Sequence, residues 1–202
     1  MFRRRSFAVI PAAGRSVRMG TPKLLLPISG QLLIERTLEV WCASGVDRVA
    51  VVCRSDDDDV QAICRQFPVE VASAPKSTRD MRASLEIGVA QLEAVAGPRD
   101  GDALVVAPAD MPRLSVEAIN AVLRAFAASK GEIVLPTYQG RDGHPVEMAW
   151  RRTQQLRDLP SGAGLNCMVL SSAVRRVVWH DDAVTRDLDT PDDWRRLIWS
   201  RQ

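Results

Sequence analysis

A run of small and basic residues follows a short apolar segment near the start of the chain. The apolar segment, Phe7–Ile10, is typical of a buried strand, and the segment Pro11–Gly20 comes directly after it. Its small and basic members are Ala12, Ala13, Gly14, Arg15 and Arg18, with Lys23 just beyond. A small-residue turn rich in cations is how α/β proteins hold polyphosphates, although such residues also occur in turns without a ligand. The residues therefore favour a nucleotide site.

The spacing in this loop differs from two common phosphate loops. A Walker loop needs Gly-Lys-Ser or Gly-Lys-Thr, and a dinucleotide loop needs glycines in a fixed register. Pro11–Gly20 has neither pattern.

Two aspartates occupy turns that a sheet could bring toward the loop. Asp110 follows the apolar run Ala103–Ala107, and Asp189 precedes Thr190–Pro191, which is typical of a helix N-cap and first helical position. Mg²⁺ prefers a few carboxylates together with water and phosphate oxygens, so the pair predicts a magnesium site. Asp187 is the alternative to Asp189, and an aspartate at a turn can also be a simple cap.

Apolar runs alternate with helical patterns along the chain. The predicted strands are Phe7–Ile10, Arg48–Cys53, Val69–Ala72, Ala103–Ala107, Glu132–Pro136, Pro145–Ala149 and Arg176–Trp179. The predicted helices are Leu32–Ser44, Val60–Phe67, Arg82–Ala94, Val116–Ser129, Arg151–Leu159 and Pro191–Ser200. This order predicts a three-layer α/β/α, Rossmann-like fold with a mainly parallel sheet, whose ligands bind at the carboxyl ends of the strands.

Composition fits one ordinary globular domain over residues 1–202. The chain is 46% apolar and 26% charged with a net charge of +2, which gives no reason to expect a nucleic acid or membrane partner. We expect a cytoplasmic protein, because no apolar signal core follows the basic start. Cys42 and Cys53 are predicted to be buried reduced thiols. The run Asp56–Asp59 suggests a metal cluster, but an acidic first turn of a helix is the better interpretation.

The loop and both aspartate segments resemble the MobA-like nucleotidyltransferases, and most closely the molybdenum cofactor cytidylyltransferases. Residues of this chain that match the family's loop are Ala12, Ala13, Gly14, Ser16, Arg18, Met19, Gly20 and Lys23. The family's small-x-Asp-Met-Pro and Asp-x-Asp-Thr-Pro segments match at Asp110 and Asp189, and its Gly-His-Pro matches at His144.

This resemblance implies a nucleotide-diphospho-sugar transferase-like fold and a Mg²⁺-dependent transfer of a nucleotide from a nucleoside triphosphate to a phosphorylated acceptor such as molybdopterin. Lys23 and Arg15 would offset charge on the phosphates, and Asp110 and Asp189 would hold Mg²⁺. The nucleotide would contact Ala12, Ala13, Gly14, Arg15, Arg18, Lys23 and Ser84. His144 would contact the acceptor, with a structural turn histidine as the alternative, and molybdoenzyme maturation factors would be partners.

The base is predicted from the same loop. Guanylyl-transferring members carry Gly-Gly where this chain has Ala13-Gly14, and cytidylyl-transferring members carry Ala-Gly, so the resemblance favours CTP over GTP. The extra methyl group of Ala13 would narrow the space beside a purine.

Two segments depart from the family pattern. Asp80 replaces a glycine in Ser77–Leu85, where it could repel the nucleotide, while Ser84 keeps register and could instead be a helix cap. Ser161–Asn166 lacks the Asp and Arg that molybdopterin-related members usually carry. The alternatives are therefore another cytidylyl, guanylyl or sugar-phosphate nucleotidyltransferase, or a catalytically degenerate nucleotide-binding domain.

Overall fold

A mixed, mostly parallel β-sheet forms the centre of the protein. The computed structural model describes residues 3–76, 78, 80–129, 133–158 and 164–199. The strands are β1 Ser6–Pro11, β2 Pro27–Ile28, β3 Gln31–Leu32, β4 Arg48–Arg54, β5 Glu70–Ala74, β6 Ala103–Val106, β7 Ile133–Tyr138, β8 Arg141–Asp142, β9 Val146–Ala149 and β10 Val174–Val178. The order across the main sheet is β10-β7-β9-β6-β1-β4-β5, with β8 beside β7 and with β2 and β3 forming a separate small hairpin.

Strand direction fixes which loops share an edge of the sheet. β5, β4, β1 and β6 are parallel neighbours, β7 and β10 are parallel to each other, and β9 is antiparallel to both β6 and β7. The loops that follow β1, β4, β5 and β6 therefore leave the same edge, which is the edge at which parallel sheets bind ligands.

Helices cover both faces of the sheet, which confirms the predicted three-layer fold. The helices are α1 Leu33–Cys42, α2 Asp58–Cys64, α3 Met81–Ala96, α4 Val116–Ala127, α5 Thr153–Arg157, α6 Leu165–Leu170 and α7 Pro191–Trp199. Apolar residues of α1, α2, α4 and α7 pack in one core cluster, and those of α3, α5 and α6 pack in another. Strand β1 supplies Ala8 and Ile10 to the first cluster and Phe7 and Val9 to the second, as the two-residue period of a strand requires.

Every predicted strand and helix has a counterpart, with small differences at the ends. The helix predicted over Arg151–Leu159 is a 3₁₀ turn, Trp150–Arg152, followed by α5. Glu132, Leu159 and Ser200, at the ends of predicted elements, lie outside the described residues. Helix α6, the short strands β2, β3 and β8, and the 3₁₀ turns Lys23–Leu25 and Asp182–Val184 are additional to the prediction.

Helix α3 packs unusually close to β1 because Gly88 has no side chain. A Cβ atom on Gly88 would lie 2.5 Å from Val9 Cγ1 and 3.0 Å from Val52 Cγ2. Since α3 connects two strands parallel to β1, it runs in the opposite direction, and its first residues lie beyond the carboxyl end of β1.

One of the two thiol predictions is wrong. Cys53, inside β4, is fully buried, but Cys42 is exposed, because at the end of α1 the neighbouring Trp41 takes the inward position. The acidic run is part of a helix start, as predicted: Asp57 is the N-cap residue of α2, and Asp58 and Asp59 lie in its first turn. None of the described helices is long and apolar enough to span a membrane.

Candidate active site

The loop after β1 is tied to its neighbours at its start and shaped by Ser16 further along. The N–H of Ala12 donates to the Val52 carbonyl at 2.9 Å, and the Pro11 carbonyl accepts from the Ala109 N–H at 3.1 Å. Ser16 has φ 51°, and its carbonyl accepts from the N–H of Met19 at 3.0 Å. Its hydroxyl accepts from the Lys23 N–H at 3.2 Å, so the loop's own hydrogen bonds set the position of Lys23.

Between these anchors the loop presents unused donors. Within the described part of the chain, the backbone N–H groups of residues 13–17 donate no hydrogen bond to another protein group. Consecutive free N–H groups at the end of a strand form a concavity suited to phosphate oxygens.

A cavity of about 870 Å³ opens beside this loop. Its lining residues include Ala12, Ala13, Gly14, Arg15, Lys23, Lys76, Thr78, Asp80, Met81, Ser84 and Asp110. The volume is within the range of small-molecule and cofactor sites. Loops after β1, β5 and β6 supply the walls, in agreement with the edge at which a parallel sheet binds its ligands.

Lys23 joins the two aspartates at one end of the cavity. Its ammonium group forms an ion pair with Asp110 and lies 3.4 Å from Asp189 Oδ1. The Asp110 carbonyl accepts from the Leu188 N–H at 2.8 Å, which holds the Asp187–Asp189 segment against the loop after β6. Arg18 extends the cluster, because its guanidinium lies 2.8 Å from Asp189 Oδ2 while remaining 70% exposed.

The donor set at this cluster fits a divalent cation. Asp110 Oδ1 is buried without a hydrogen-bond partner among the described residues, so a carboxylate oxygen beside the cavity is available to a ligand. Asp110 and Asp189 together supply the few carboxylates that Mg²⁺ uses when phosphates complete its coordination. The described residues contain no group of three or more His, Cys, Asp or Glu that could form a closed metal cage.

Asp187 lies beside this pair. Partial burial and the charges of Asp189 and Asp110 raise the pKa of Asp187, while Lys23 acts in the opposite direction. Asp189, and not Asp187, is the carboxylate that the Lys23 and Arg18 cations contact.

His144 is close enough to Asp110 and Asp187 to feel their charges, but it does not line the cavity. A Cβ on Gly143 would lie 2.3 Å from the Val184 carbonyl oxygen, and the His144 N–H donates to that carbonyl at 2.7 Å. Burial lowers the pKa of His144, against the opposing effects of the Val106 backbone and of Asp110 and Asp187. The imidazole adjoins the carboxylate cluster, and its Nδ1 is buried and unpaired among the described residues.

Most of the predicted site residues converge on this one edge. Those lining the cavity are Ala12, Ala13, Gly14, Arg15, Lys23, Ser84 and Asp110, whereas Arg18 and Asp189 stand beside it. Arg15 also bridges two loops, because its guanidinium donates to the Lys76 carbonyl at 2.7 Å. Ser84 is buried inside α3, and the N-cap residue is Asp80, whose carboxylate accepts from the Ala83 N–H at 2.8 Å.

Sequence reasoning missed Lys76, Thr78 and Met81, which form the far wall of the cavity. Their position just after β5 was the available signal, since β5 ends at the same edge as β1 and β6. Five residues of the two segments that depart from the family pattern lie outside the described residues: Ser77, Arg79, Ser161, Gly162 and Ala163.

Comparison with known proteins identifies relatives along the whole length of the chain. The family model described as the MobA-like NTP transferase domain matches residues 8–177. The chain is 27% identical over 199 residues to the purine catabolism protein PucB of Bacillus subtilis, covering 92% of both chains. It is 32% identical over 157 residues to the 2-C-methyl-D-erythritol 4-phosphate cytidylyltransferase of an Azoarcus species, covering 71% of this chain and 64% of the relative. A probable molybdenum cofactor guanylyltransferase of Rhodopirellula baltica is 30% identical over 128 residues, which span 63% of this chain and 58% of the relative.

Solved structures agree with this relationship. Rv0371c of Mycobacterium tuberculosis superposes with a TM-score of 0.84 at 27% identity, covering 98% of this chain and all of the other. A complex of Rv0371c with manganese superposes with a TM-score of 0.78 at 25% identity, covering 97% of this chain and 99% of the other.

Proposed function

Because this chain belongs to the MobA-like NTP transferase family and is a nucleotidyltransferase, we propose that it transfers CMP from CTP to a phosphorylated acceptor and releases pyrophosphate. Molybdopterin is the acceptor that we propose first. Residues 1–202 act in this proposal as a single nucleotidyltransferase domain in the cytoplasm, and the core clusters that run along both faces of one sheet support a single unit.

The observation that carries the proposal is the cluster of Lys23, Asp110 and Asp189 beside a cavity lined by free backbone N–H groups. A site that only bound a nucleotide would need the N–H groups and cations, but it would have little use for two carboxylates facing phosphates. Carboxylates there are useful when a divalent cation must be held against those phosphates.

The chain's own residues position the reactants and balance their charge. An oxygen of the acceptor phosphate attacks the α-phosphorus of CTP, a new P–O bond forms, and the bond to the β-phosphate oxygen breaks as pyrophosphate leaves. Residues 13–17 would hold the β- and γ-phosphates, and Lys23 and Arg15 would offset negative charge as the leaving group departs. The acceptor phosphate is already ionised, so the step needs no general base.

Asp110 and Asp189 would hold Mg²⁺ in this scheme. When bound, the cation would neutralise negative charge on the reacting phosphates. The manganese complex of Rv0371c supports a divalent cation in a similar protein, and the unpartnered oxygen of Asp110 supports its place in this one.

Ala13 and the cytidylyltransferase relative support CTP as the donor. The methyl group of Ala13 lines the cavity and reduces the room beside the base. GTP is the second candidate, which the guanylyltransferase relative supports.

A thermal-shift titration with CTP, GTP, ATP and UTP, each with and without Mg²⁺, tests the donor. A ligand that binds only the folded state raises the melting temperature, and the rise increases with the logarithm of the ligand concentration relative to its dissociation constant. We expect the largest Mg²⁺-dependent rise with CTP. A rise with GTP instead would overturn the role of Ala13, and no rise with any nucleotide would support a catalytically degenerate domain.

Separate incubations of α-³²P-labelled CTP with purified molybdopterin, with a sugar phosphate and with methylerythritol phosphate test the acceptor. We expect label to move to the pterin and pyrophosphate to appear in equal amounts. If label moves only to a sugar phosphate or to methylerythritol phosphate, the enzyme is a different cytidylyltransferase. Molybdoenzyme maturation factors remain predicted partners, to be tested after the acceptor.

A further inference from the structure

We propose that Asp80 reads the amino group of the nucleotide base and thereby makes the site selective for CTP over UTP. This inference rests on the proposed function, because it concerns the base of the same nucleotide. It reverses the expectation that an aspartate at this position would weaken binding.

The register of α3 places Asp80 above the loop that holds the nucleotide. Asp80, Ser84 and Gly88 are spaced four residues apart and so lie on one face of the helix, and Gly88 sits directly on Val9 of β1. Four helical residues advance about 6 Å, which corresponds to about two residues of a strand. Because α3 runs antiparallel to β1 and Gly88 packs on Val9, Ser84 lies near Pro11 and Asp80 lies near Ala13.

The cavity lining agrees with this register. Ala13, Asp80 and Ser84 all line the same cavity, together with Thr78 and Met81. Most of the phosphate-facing donors, those of residues 14–17, lie further along the loop than Ala13, and Lys23 and Asp110 mark the proposed reacting end. The wall formed by Thr78, Asp80, Met81 and Ser84 is therefore left for the base.

The helix uses only part of the acceptor capacity of Asp80. Its Oδ1 accepts from the Ala83 N–H at 2.8 Å, which caps α3 and fixes the carboxylate in place. Among the described residues, no cation pairs with this carboxylate. The second oxygen is available to a donor in the cavity, and Arg15, Lys23 and Lys76 on the other walls offset the aspartate's charge toward the phosphates.

A fixed acceptor at this wall distinguishes the pyrimidines. Cytosine carries an amino group, a hydrogen-bond donor, at the ring position where uracil carries a carbonyl oxygen, and carboxylates recognise cytosine through that amino group. A uracil would place its carbonyl oxygen against a carboxylate, and both groups are acceptors. Adenine also has an amino group, but Ala13 limits the space for a purine, so the two residues together favour cytosine.

Asp80→Asn tests this inference with little risk to the fold. Asparagine is as good an N-cap residue as aspartate, so its oxygen can still accept from Ala83, while its new amide group can donate toward the base. The matched control is Asp181→Asn, because Asp181 caps the 3₁₀ turn Asp182–Val184 through the Ala183 N–H at 3.0 Å and does not line the cavity.

Dissociation constants for Mg²⁺ complexes of CTP and UTP should be measured by calorimetry for the wild type and both variants. We expect the wild type to prefer CTP, Asp80→Asn to lower the CTP-to-UTP preference on the order of tenfold, and Asp181→Asn to leave it unchanged. Three results would overturn the inference while leaving the nucleotidyltransferase proposal standing. They are an unchanged preference in Asp80→Asn, an equal loss of affinity for both nucleotides, as contact with the ribose would give, and a wild type that binds CTP and UTP equally. A wild type that binds no nucleotide would overturn both.

Discussion

Two aspartates at opposite ends of β6 serve contrasting purposes. Asp102 directly precedes the strand, is only 4% exposed, and accepts hydrogen bonds from the backbone N–H of Arg5 and Arg99 and from the Arg5 guanidinium. Asp110 follows the strand by a few residues, and its Oδ1 is buried without a partner among the described residues. One carboxylate is fully satisfied by the protein, and the other is left with capacity for a ligand.

The difference separates a structural end of β6 from the end at which we propose that the reaction takes place. Burial acts to raise the pKa of Asp102, but the N–H donors of Arg99 and Arg5 and the Arg5 guanidinium outweigh it, so that this pKa lies below its ordinary value. These hydrogen bonds stabilise the fold, and they leave the Asp102 carboxylate no acceptor capacity for a substrate. At the other end, Asp110 is paired with the ammonium group of Lys23 and has no comparable set of backbone donors among the described residues.

Asp110→Asn should lower the nucleotidyltransferase activity that we propose while leaving the stability of the fold nearly unchanged. We expect kcat/KM for nucleotidyl transfer to fall about 10³-fold, because a positioned charge at the phosphates is lost. The urea midpoint should change little, because Lys23 keeps Asp189 as a charge partner at 3.4 Å and Asp110 Oδ1 has no hydrogen-bond partner among the described residues. Steady-state kinetics with the acceptor that the wild type uses, together with urea unfolding, measure both. Full activity in this variant would place the reactive carboxylate elsewhere.

Asp102→Asn should give the reverse result. We expect the free energy of unfolding to fall by about 2–3 kcal/mol, because the amide cannot satisfy all the Arg5 and Arg99 donors and leaves the guanidinium without its charge partner. Urea titration measures the loss. The dissociation constant for CTP, measured on folded protein, should match that of the wild type. A large change in CTP affinity would show that the two ends of β6 are not independent.

Glu147 is a third carboxylate beside β6, and it extends the comparison of Asp102 with Asp110 because its effect on stability depends on pH. It lies in β9 with no exposed surface, its Oε1 accepts from the Ser6 hydroxyl at 3.3 Å, and burial raises its pKa from 4.5 to about 8. Below pH 4.5 the side chain is protonated in both folded and unfolded states. As the pH rises toward 8 only the unfolded state readily ionises, so the wild type loses stability over this interval.

Glu147→Gln keeps a neutral side chain at every pH and removes that loss. We expect its stability relative to the wild type to increase by on the order of 2–3 kcal/mol between about pH 5 and pH 7. Urea unfolding of both proteins across this interval measures the change. A stability difference that does not vary with pH would mean that Glu147 is ionised in the folded protein.

Arg18→Ala should have the smallest effect, although Arg18 contacts Asp189. Its side chain is 70% exposed, and exposed ion pairs contribute less than about 1 kcal/mol. We expect the KM for CTP to rise less than about fivefold with no change in the free energy of unfolding. Initial-rate kinetics at varied CTP measure this. A loss as large as that of Asp110→Asn would move Arg18 into the reacting centre.

The sequence predicts the reactive edge because it follows from strand direction. Phe7–Ile10 and Ala103–Ala107 are apolar runs that must be buried strands, and the loops after parallel strands meet at one edge, so Asp110 and the small-residue loop are predicted to be neighbours. The far wall escapes prediction, because Lys76 and Thr78 have no distinctive pattern and gain meaning only from the pairing of β4 with β5. The start of α3 is ambiguous for a similar reason: Asp80 and Ser84 are both good caps, and the packing of Gly88 on Val9 decides between them.

Calorimetric titration of CTP into the wild type and Asp110→Asn, each with and without Mg²⁺, tests the central claim most directly. The claim is that Asp110, whose Oδ1 has no hydrogen-bond partner among the described residues, holds a divalent cation against the nucleotide's phosphates. We predict that Mg²⁺ tightens CTP binding by the wild type and has no effect on CTP binding by the variant. Equal Mg²⁺ dependence in both proteins, or none in the wild type, would contradict the claim.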